Sequence, residues 1–188
     1  MSLPANTVLL LIDVQQGLDN ADYYGDRNNP HAEQNMAQLL AAWRTRGLPI
    51  YHVQHHSTEP NSPLRPESPG VAIKPEVAPQ DDEPVFTKNV NSAFIGTDLE
   101  QQLRDAEIDT LVVVGLTTEH CVSTSVRMAA NFGFNVYLAA DGTAANSATG
   151  YDGQQFTAQQ VHDAQLAALH GEFATVMPTA SILTMLPE

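Results

Sequence analysis

The feature that most constrains this chain is a repeated alternation of short β-rich apolar runs with longer stretches of helical periodicity. TVLLLID (7–13) is a continuous apolar run closed by an acid, and PIYHVQ (49–54) and PVFTK (84–88) follow it. TLVVVG (110–115), NVYLAAD (135–141) and EFATVM (172–177) complete the strand candidates. Between them, HAEQNMAQLLAAWRTRG (31–47) places Met36, Leu39, Leu40 and Trp43 at helical spacing and stops at Gly47. TDLEQQLRDAEI (97–108) reads as a helix capped by Thr97, CVSTSVRMAANFG (121–133) as one ending at Gly133, and a last helix covers about 157–170. The seven prolines between Pro60 and Pro84 predict a segment with few regular elements.

Strands that are apolar throughout must be buried on both faces, and helices between them supply the cover. The pattern predicts a three-layer α/β/α sandwich with a mostly parallel six-stranded sheet, Rossmann-like, in a single domain over 1–188. In such sheets ligands bind beyond the carboxyl ends of the strands, where the strand order reverses. Polar residues that end strands are therefore the first candidates for chemistry.

Charge and composition remove several function classes. With 22 acidic and 8 basic side chains the formal charge is −14, and no basic stripe offsets it, so nucleic acid is not an expected partner. No run approaches the roughly 18 apolar residues of a membrane span. MSLPANTVLLLIDV lacks the basic flank and cleavage site of a secretory signal. A single cysteine excludes an intramolecular disulfide and fits a reducing compartment. The expectation is a cytoplasmic protein without a membrane partner, acting on a small molecule.

Three strand-end residues stand out. Asp13 closes the first run, where preceding leucines would desolvate its carboxylate and raise its pKa, making it a better acceptor for a thiol proton. Lys88, one of only two lysines, ends the third run. Beside a thiol and a carboxylate, its ammonium would stabilise a thiolate and a developing oxyanion. Cys121, the only cysteine, follows VVVGLTTEH at the start of a predicted helix, where free N–H groups and the helix dipole favour an anion. Each also has a plainer reading: a turn aspartate, a surface lysine, a small buried hydrophobe. The three together, in this order, are far more specific than any one.

LLLIDVQ, FTKNVNSAFIGTDL and VVVGLTTEHCV, with STEPNSPLRPESPG and the tail HDAQLAALHGEFATVMPTASIL, resemble the isochorismatase-like cysteine hydrolase family over nearly the whole chain. The resemblance implies Asp13, Lys88 and Cys121 as a catalytic triad and an oxyanion hole of the Thr117 and Cys121 N–H groups. It also implies a cis Leu116–Thr117 peptide and a homo-oligomer, dimer or tetramer. The activity implied is hydrolysis of a small amide or related C–N bond through a thioester, without a cofactor. Isochorismatases of the family typically lack the cysteine. Its nicotinamidases bind a metal through an Asp-x-His pattern that YHVQHHST does not match, so no metal is expected and His52, His55 and His56 read as surface or loop residues. Phe94 matches a position that often lines the pocket, although it also fits a core role. Gln15 is placed to orient the site, and Glu119 and His120 to meet substrate at its entrance. His162 and His170 read as structural. The competing readings are hydrolysis of a vinyl ether, ester or imine, an inert scaffold of the same fold, and a reactive-thiol sensor.

Overall fold

The computed structural model describes residues 2–80 and 82–187. In chain order its strands are β1 (Val8–Ile12), β2 (Ile50–His55), β3 (Val85–Lys88), β4 (Thr110–Leu116), β5 (Asn135–Ala144), β6 (Ala148–Thr149), β7 (Gln155–Phe156) and β8 (Thr175–Met177). Its helices are α1 (Ala21–Tyr24), α2 (Ala32–Arg46), α3 (Leu99–Asp105), α4 (Ser123–Asn131), α5 (Ala158–Leu169) and α6 (Thr179–Leu183). Six strands form one sheet in the order β3-β2-β1-β4-β5-β8, with every pairing parallel. The short β6 and β7 pair as a separate antiparallel hairpin.

The alternation along the two central strands explains the layers. Leu9 and Leu11 of β1, with Val112, Val114 and Leu116 of β4, pack against Met36, Leu39, Leu40 and Trp43 of α2 and Ile182 of α6. Val8, Leu10 and Ile12, with Leu111 and Val113, face the other way, onto Leu99 and Leu103 of α3, Val126 and Ala129 of α4, and Leu169 of α5. A sheet apolar on both sides is thus sandwiched between helices, and its edge-free central strands are fully buried.

Several boundaries differ from the sequence reading, each for a local reason. Thr97 does not cap α3: its hydroxyl donates to the Ala93 carbonyl at 2.6 Å, and Asp98 occupies the cap position. Strand β5 runs on to Ala144 past a register shift opposite Val113 and Gly115. The last strand is only Thr175–Met177, because Gly171 takes a left-handed φ of 85° and turns the chain. The proline-rich segment forms two single 3-10 turns, Pro69–Val71 and Pro75–Val77. It is tied down by Lys74, whose Nζ donates to Asp19 and Glu33 at 2.6 Å each.

The strand order reverses between β1 and β4, which opens a crevice at their carboxyl ends. Gly115 lets the two strands close on one another there. Its φ is 136°, and a Cβ at that position would lie 2.1 Å from the Ile12 carbonyl oxygen. Gly115→Ala is expected to destabilise the domain by at least about 3 kcal/mol in urea unfolding, since backbone atoms on both strands would have to separate. A loss under about 1 kcal/mol would show that the crevice is more pliable than this packing implies.

Candidate active site

Asp13 leaves β1 in the left-handed region at φ 52°, which aspartate tolerates better than most residues, while its N–H still donates to Val53 of β2 at 2.9 Å. The turn is therefore fixed by the sheet. Lys88 is the last residue of β3 and pairs in register with His55 of β2. Two strand spacings of roughly 4.8 Å separate β3 from β1, and only a long side chain reaches across the end of β2. The lysine does so with its side chain wholly buried.

Its Nζ lies 2.5 Å from Asp13 Oδ2, 3.0 Å from His55 Nδ1 and 3.3 Å from Cys121 Sγ. An ammonium has three N–H donors and no acceptor, so these three partners use all of them. The structure therefore brings Asp13, Lys88 and Cys121 together at the strand ends. Ligand-type atoms of Asp13, His55 and Cys121 all lie within 4.8 Å of one another, the separation of a metal cluster, yet the position among them is filled by the Lys88 ammonium. The donor set is thus satisfied by a fixed organic cation and does not fit a metal ion as well.

Burial sets the proton distribution. Desolvation raises the Asp13 carboxyl above its usual range, against the charge and hydrogen bond of Lys88, which lower it. Burial also raises the Cys121 thiol, the Asp13 charge raises it further, and Lys88 only partly opposes them. This corrects the expectation of a thiol made acidic by a helix terminus. His55 is lowered to about 4 by burial and by the neighbouring ammonium, so it is neutral at pH 7. Burial thus favours the proton on Cys121, beside a Lys88–Asp13 salt bridge whose carboxyl is itself shifted toward the protonated form.

Cys121 lies inside a π-helical turn, Thr118–Val122, that precedes α4, so it is not on the α-helix itself. The Val122 N–H reaches back to the Thr117 carbonyl at 3.2 Å, and such widened turns recur at functional sites. The Leu116–Thr117 peptide is cis. The Thr117 N–H donates to no group among the described residues. His162 braces the turn from α5 through a 2.9 Å contact with the Thr118 hydroxyl.

The other candidates divide. Gln15 is buried and acts as a clamp: its amide oxygen accepts from the His55 N–H at 2.8 Å, and its Nε2 donates to the His55 and Val71 carbonyls at 3.0 and 2.7 Å. It positions His55 and is not part of the wall of the cavity beside Cys121. His120 stands at the mouth with its side chain 68% exposed. Glu119 turns away from the cavity, and one of its oxygens accepts from the Asn146 N–H at 3.1 Å. Phe94 is a correction: its ring is buried in the same core cluster as Leu99 and Leu103 of α3, stacked with Phe134 and edge-on to the exposed Phe132, and does not line the cavity beside Cys121. Among the histidines, His52 is buried against Glu83 at 2.9 Å, and His170 accepts from the Val176 N–H at 3.1 Å. The reading of His52 and His55 as surface or loop residues is corrected too, since β2 extends through both, burying His52 and setting His55 beside Lys88. Asn91, whose Oδ1 is 3.8 Å from the Cys121 sulfur, is a further neighbour not singled out from the sequence, although it lies within FTKNVNSAFIGTDL.

A cavity of about 260 Å³ opens in front of this group, walled by Leu18, Tyr24, Leu64 and Leu116 and reaching Asp13 and Cys121. Comparison with known proteins decides the family. The isochorismatase domain model matches residues 7–181. The chain belongs to the isochorismatase family. It is 44% identical over 175 residues to the isochorismatase family protein YrdC of Bacillus subtilis, covering 93% of each chain. An isochorismatase-family structure from Chromobacterium violaceum superposes with a TM-score of 0.95 at 47% identity, over 98% of this chain and 96% of that one. N-carbamoylsarcosine amidase of an Arthrobacter species is 32% identical over 117 residues, 53% of this chain and 44% of that protein.

Two outcomes test the electrostatics. Lys88→Met leaves the buried Asp13 carboxylate without its cation and raises its carboxyl further, so the stability gap to the unsubstituted protein should widen as pH rises above the native Asp13 titration, reaching about 3 kcal/mol or more. A gap independent of pH would contradict the buried pair. Because His55 is depressed to about 4 in the fold, the unfolded chain binds a proton that the folded chain refuses below pH ~6.5. Its contribution is complete above about pH 6.5 and is lost as pH falls toward 4. His55→Asn should therefore flatten the acid side of the stability curve measured by urea midpoints.

Proposed function

We propose that this isochorismatase-family protein is a cysteine hydrolase cleaving the C–N bond of a small-molecule amide, with Cys121 as nucleophile, Asp13 as proton carrier and Lys88 as fixed cation. The observation that carries this reading is the division of labour on Asp13. One carboxylate oxygen is bound by Lys88, while Oδ1 is buried with no hydrogen-bond partner among the described residues, at the wall that also holds the thiol. An open buried acceptor beside a thiol is poised to take its proton.

The steps follow from that arrangement. As Cys121 Sγ attacks the amide carbonyl carbon, its proton passes to Asp13 Oδ1, and the carbonyl oxygen becomes an oxyanion. The Thr117 and Cys121 N–H groups donate to that oxygen. Lys88 holds the thiolate character at 3.3 Å without giving up a proton. The tetrahedral intermediate collapses, the C–N bond breaks, and Asp13 returns the proton to the departing nitrogen, leaving a thioester. Water then attacks the thioester, Asp13 accepts its proton, and the acid is released as the thiol re-forms. A thiol held neutral by burial fits this order, because deprotonation accompanies attack. The partial likeness to N-carbamoylsarcosine amidase supports amide chemistry, and an inert scaffold would need neither the buried cation nor the open carboxylate oxygen.

Release of ammonia from a panel of small carboxamides should be detectable and should fall by at least about a thousand-fold in Cys121→Ala and in Asp13→Asn. Folding of both variants is checked by circular dichroism. Equal release by Cys121→Ala would exclude the thiol as nucleophile.

A further inference from the structure

Apart from Asp13 and the imidazoles of His55 and His120, the cavity is walled by apolar and uncharged polar groups, and the position of every lysine and arginine among the described residues bears on what it accepts. The chain holds eight such residues. Lys88 is the nearest, but its three N–H donors are spent on Asp13, His55 and Cys121, and it is not part of the cavity wall. Lys74 and Arg27 are held by Asp19 and Glu33. Arg44 pairs with Glu83, Arg65 with Glu67, and Arg104 lies over the Phe134 ring. Arg127 lies over Phe173, and Arg46 donates to the Pro187 carbonyl. None of these lines the cavity. The basic side chains that do line the cavity are two imidazoles: His55, which is turned to Lys88 and neutral at pH 7, and His120, which sits at the mouth with its Nδ1 3.9 Å from a Glu119 oxygen.

An anionic substrate would thus enter a confined site whose one open charge is the Asp13 carboxylate, in a chain of net charge −14. Burying a carboxylate there without a partner costs free energy that no contact returns. The walls offer instead Leu18, Leu64, Leu116 and Tyr24 to an apolar body, and Asn91, Ser57 and the Thr117 N–H to an amide head.

We propose that this site selects an uncharged primary carboxamide with a compact apolar body and discriminates against substrates that carry a carboxylate near the reacting carbon. The inference rests on Cys121 lying at the base of this cavity and names the substrate class for the hydrolase reading above. His55 contributes to the selectivity as a positioning residue. By accepting the third Lys88 proton it holds the ammonium out of the cavity, where it would otherwise attract an anion.

The test does not depend on turnover. Cys121 is the only thiol, so its alkylation is read cleanly by intact mass. Iodoacetamide and iodoacetate form the same S–CH2 bond with loss of iodide and differ in presenting a carboxamide or a carboxylate. The ratio of their rate constants on the folded protein should exceed the ratio on the urea-unfolded chain by at least about ten-fold, equivalent to about 1.4 kcal/mol. It should persist at about 0.5 M salt, where surface fields are screened within a few ångströms. A folded ratio equal to the unfolded one, or one that collapses to it in salt, would overturn the proposal. The hydrolysis arm compares butanamide with succinamate, a matched pair in which a methyl is exchanged for a carboxylate. Faster turnover of succinamate would overturn the selectivity while leaving the hydrolase reading standing. If neither amide is hydrolysed but the alkylation ratio is raised, the selectivity holds and the hydrolase reading is the part that loses support.

Discussion

The Lys88–Asp13 ion pair is the constraint around which the rest of this site is arranged. Two opposite charges, each with almost no exposure, are stable in a protein interior only when geometry satisfies them closely. Here the ammonium meets three acceptors drawn from three separate elements: the end of β1, the end of β2 and the turn after β4. A pair of this kind contributes little to net stability compared with apolar packing of the same volume. What it fixes is position. Moving any of those three elements would leave a buried charge short of a partner, so the pair ties the carboxylate, the imidazole and the sulfur to one another.

The sheet makes that convergence possible. The order β3-β2-β1-β4-β5-β8 puts the reversal point between β1 and β4, so the residues that follow these strands meet across a crevice. Gly115 allows the strands to close there, and the π-helical turn drops Cys121 into the gap before α4 begins. The proline-rich segment then forms the far wall. Leu64 and Ser62 come from it, and Lys74 fastens its end to Glu33 at the start of α2. Chemistry at the sheet edge and shape from the long loop are thus supplied by different parts of the chain.

Much of this could be read from the sequence, for identifiable reasons. Short apolar runs such as VLLLI and TLVVVG, rich in β-branched and leucine side chains and alternating with helical stretches, read as strands buried on both faces, so the three-layer fold follows from the alternation. Asp13, Lys88 and Cys121 were legible because each ends or follows such a run. The partners that depend on register were not. His55 becomes visible only once β2 is known to extend to it and to pair with β3 opposite Lys88. Gln15 acts through contacts 40 and 56 residues away in sequence, which no local pattern encodes. Phe94 went to the core, and aromatic character alone does not decide between core and cavity wall. The acidity of the thiol was misjudged for a similar reason: the helix terminus is visible in sequence, while the depth of burial and the closeness of Asp13 are not.

In the proposed hydrolysis Cys121 stays a thiol at rest and passes its proton to Asp13 only on attack. The most direct measurement is the ultraviolet absorbance of the thiolate across pH, taken as the difference between the native protein and Cys121→Ala. No thiolate step is expected below about pH 9, because burial and the Asp13 charge hold the proton on sulfur. A step at or below about pH 7 would show that Lys88 outweighs both, and the thiol would then be a preformed anion.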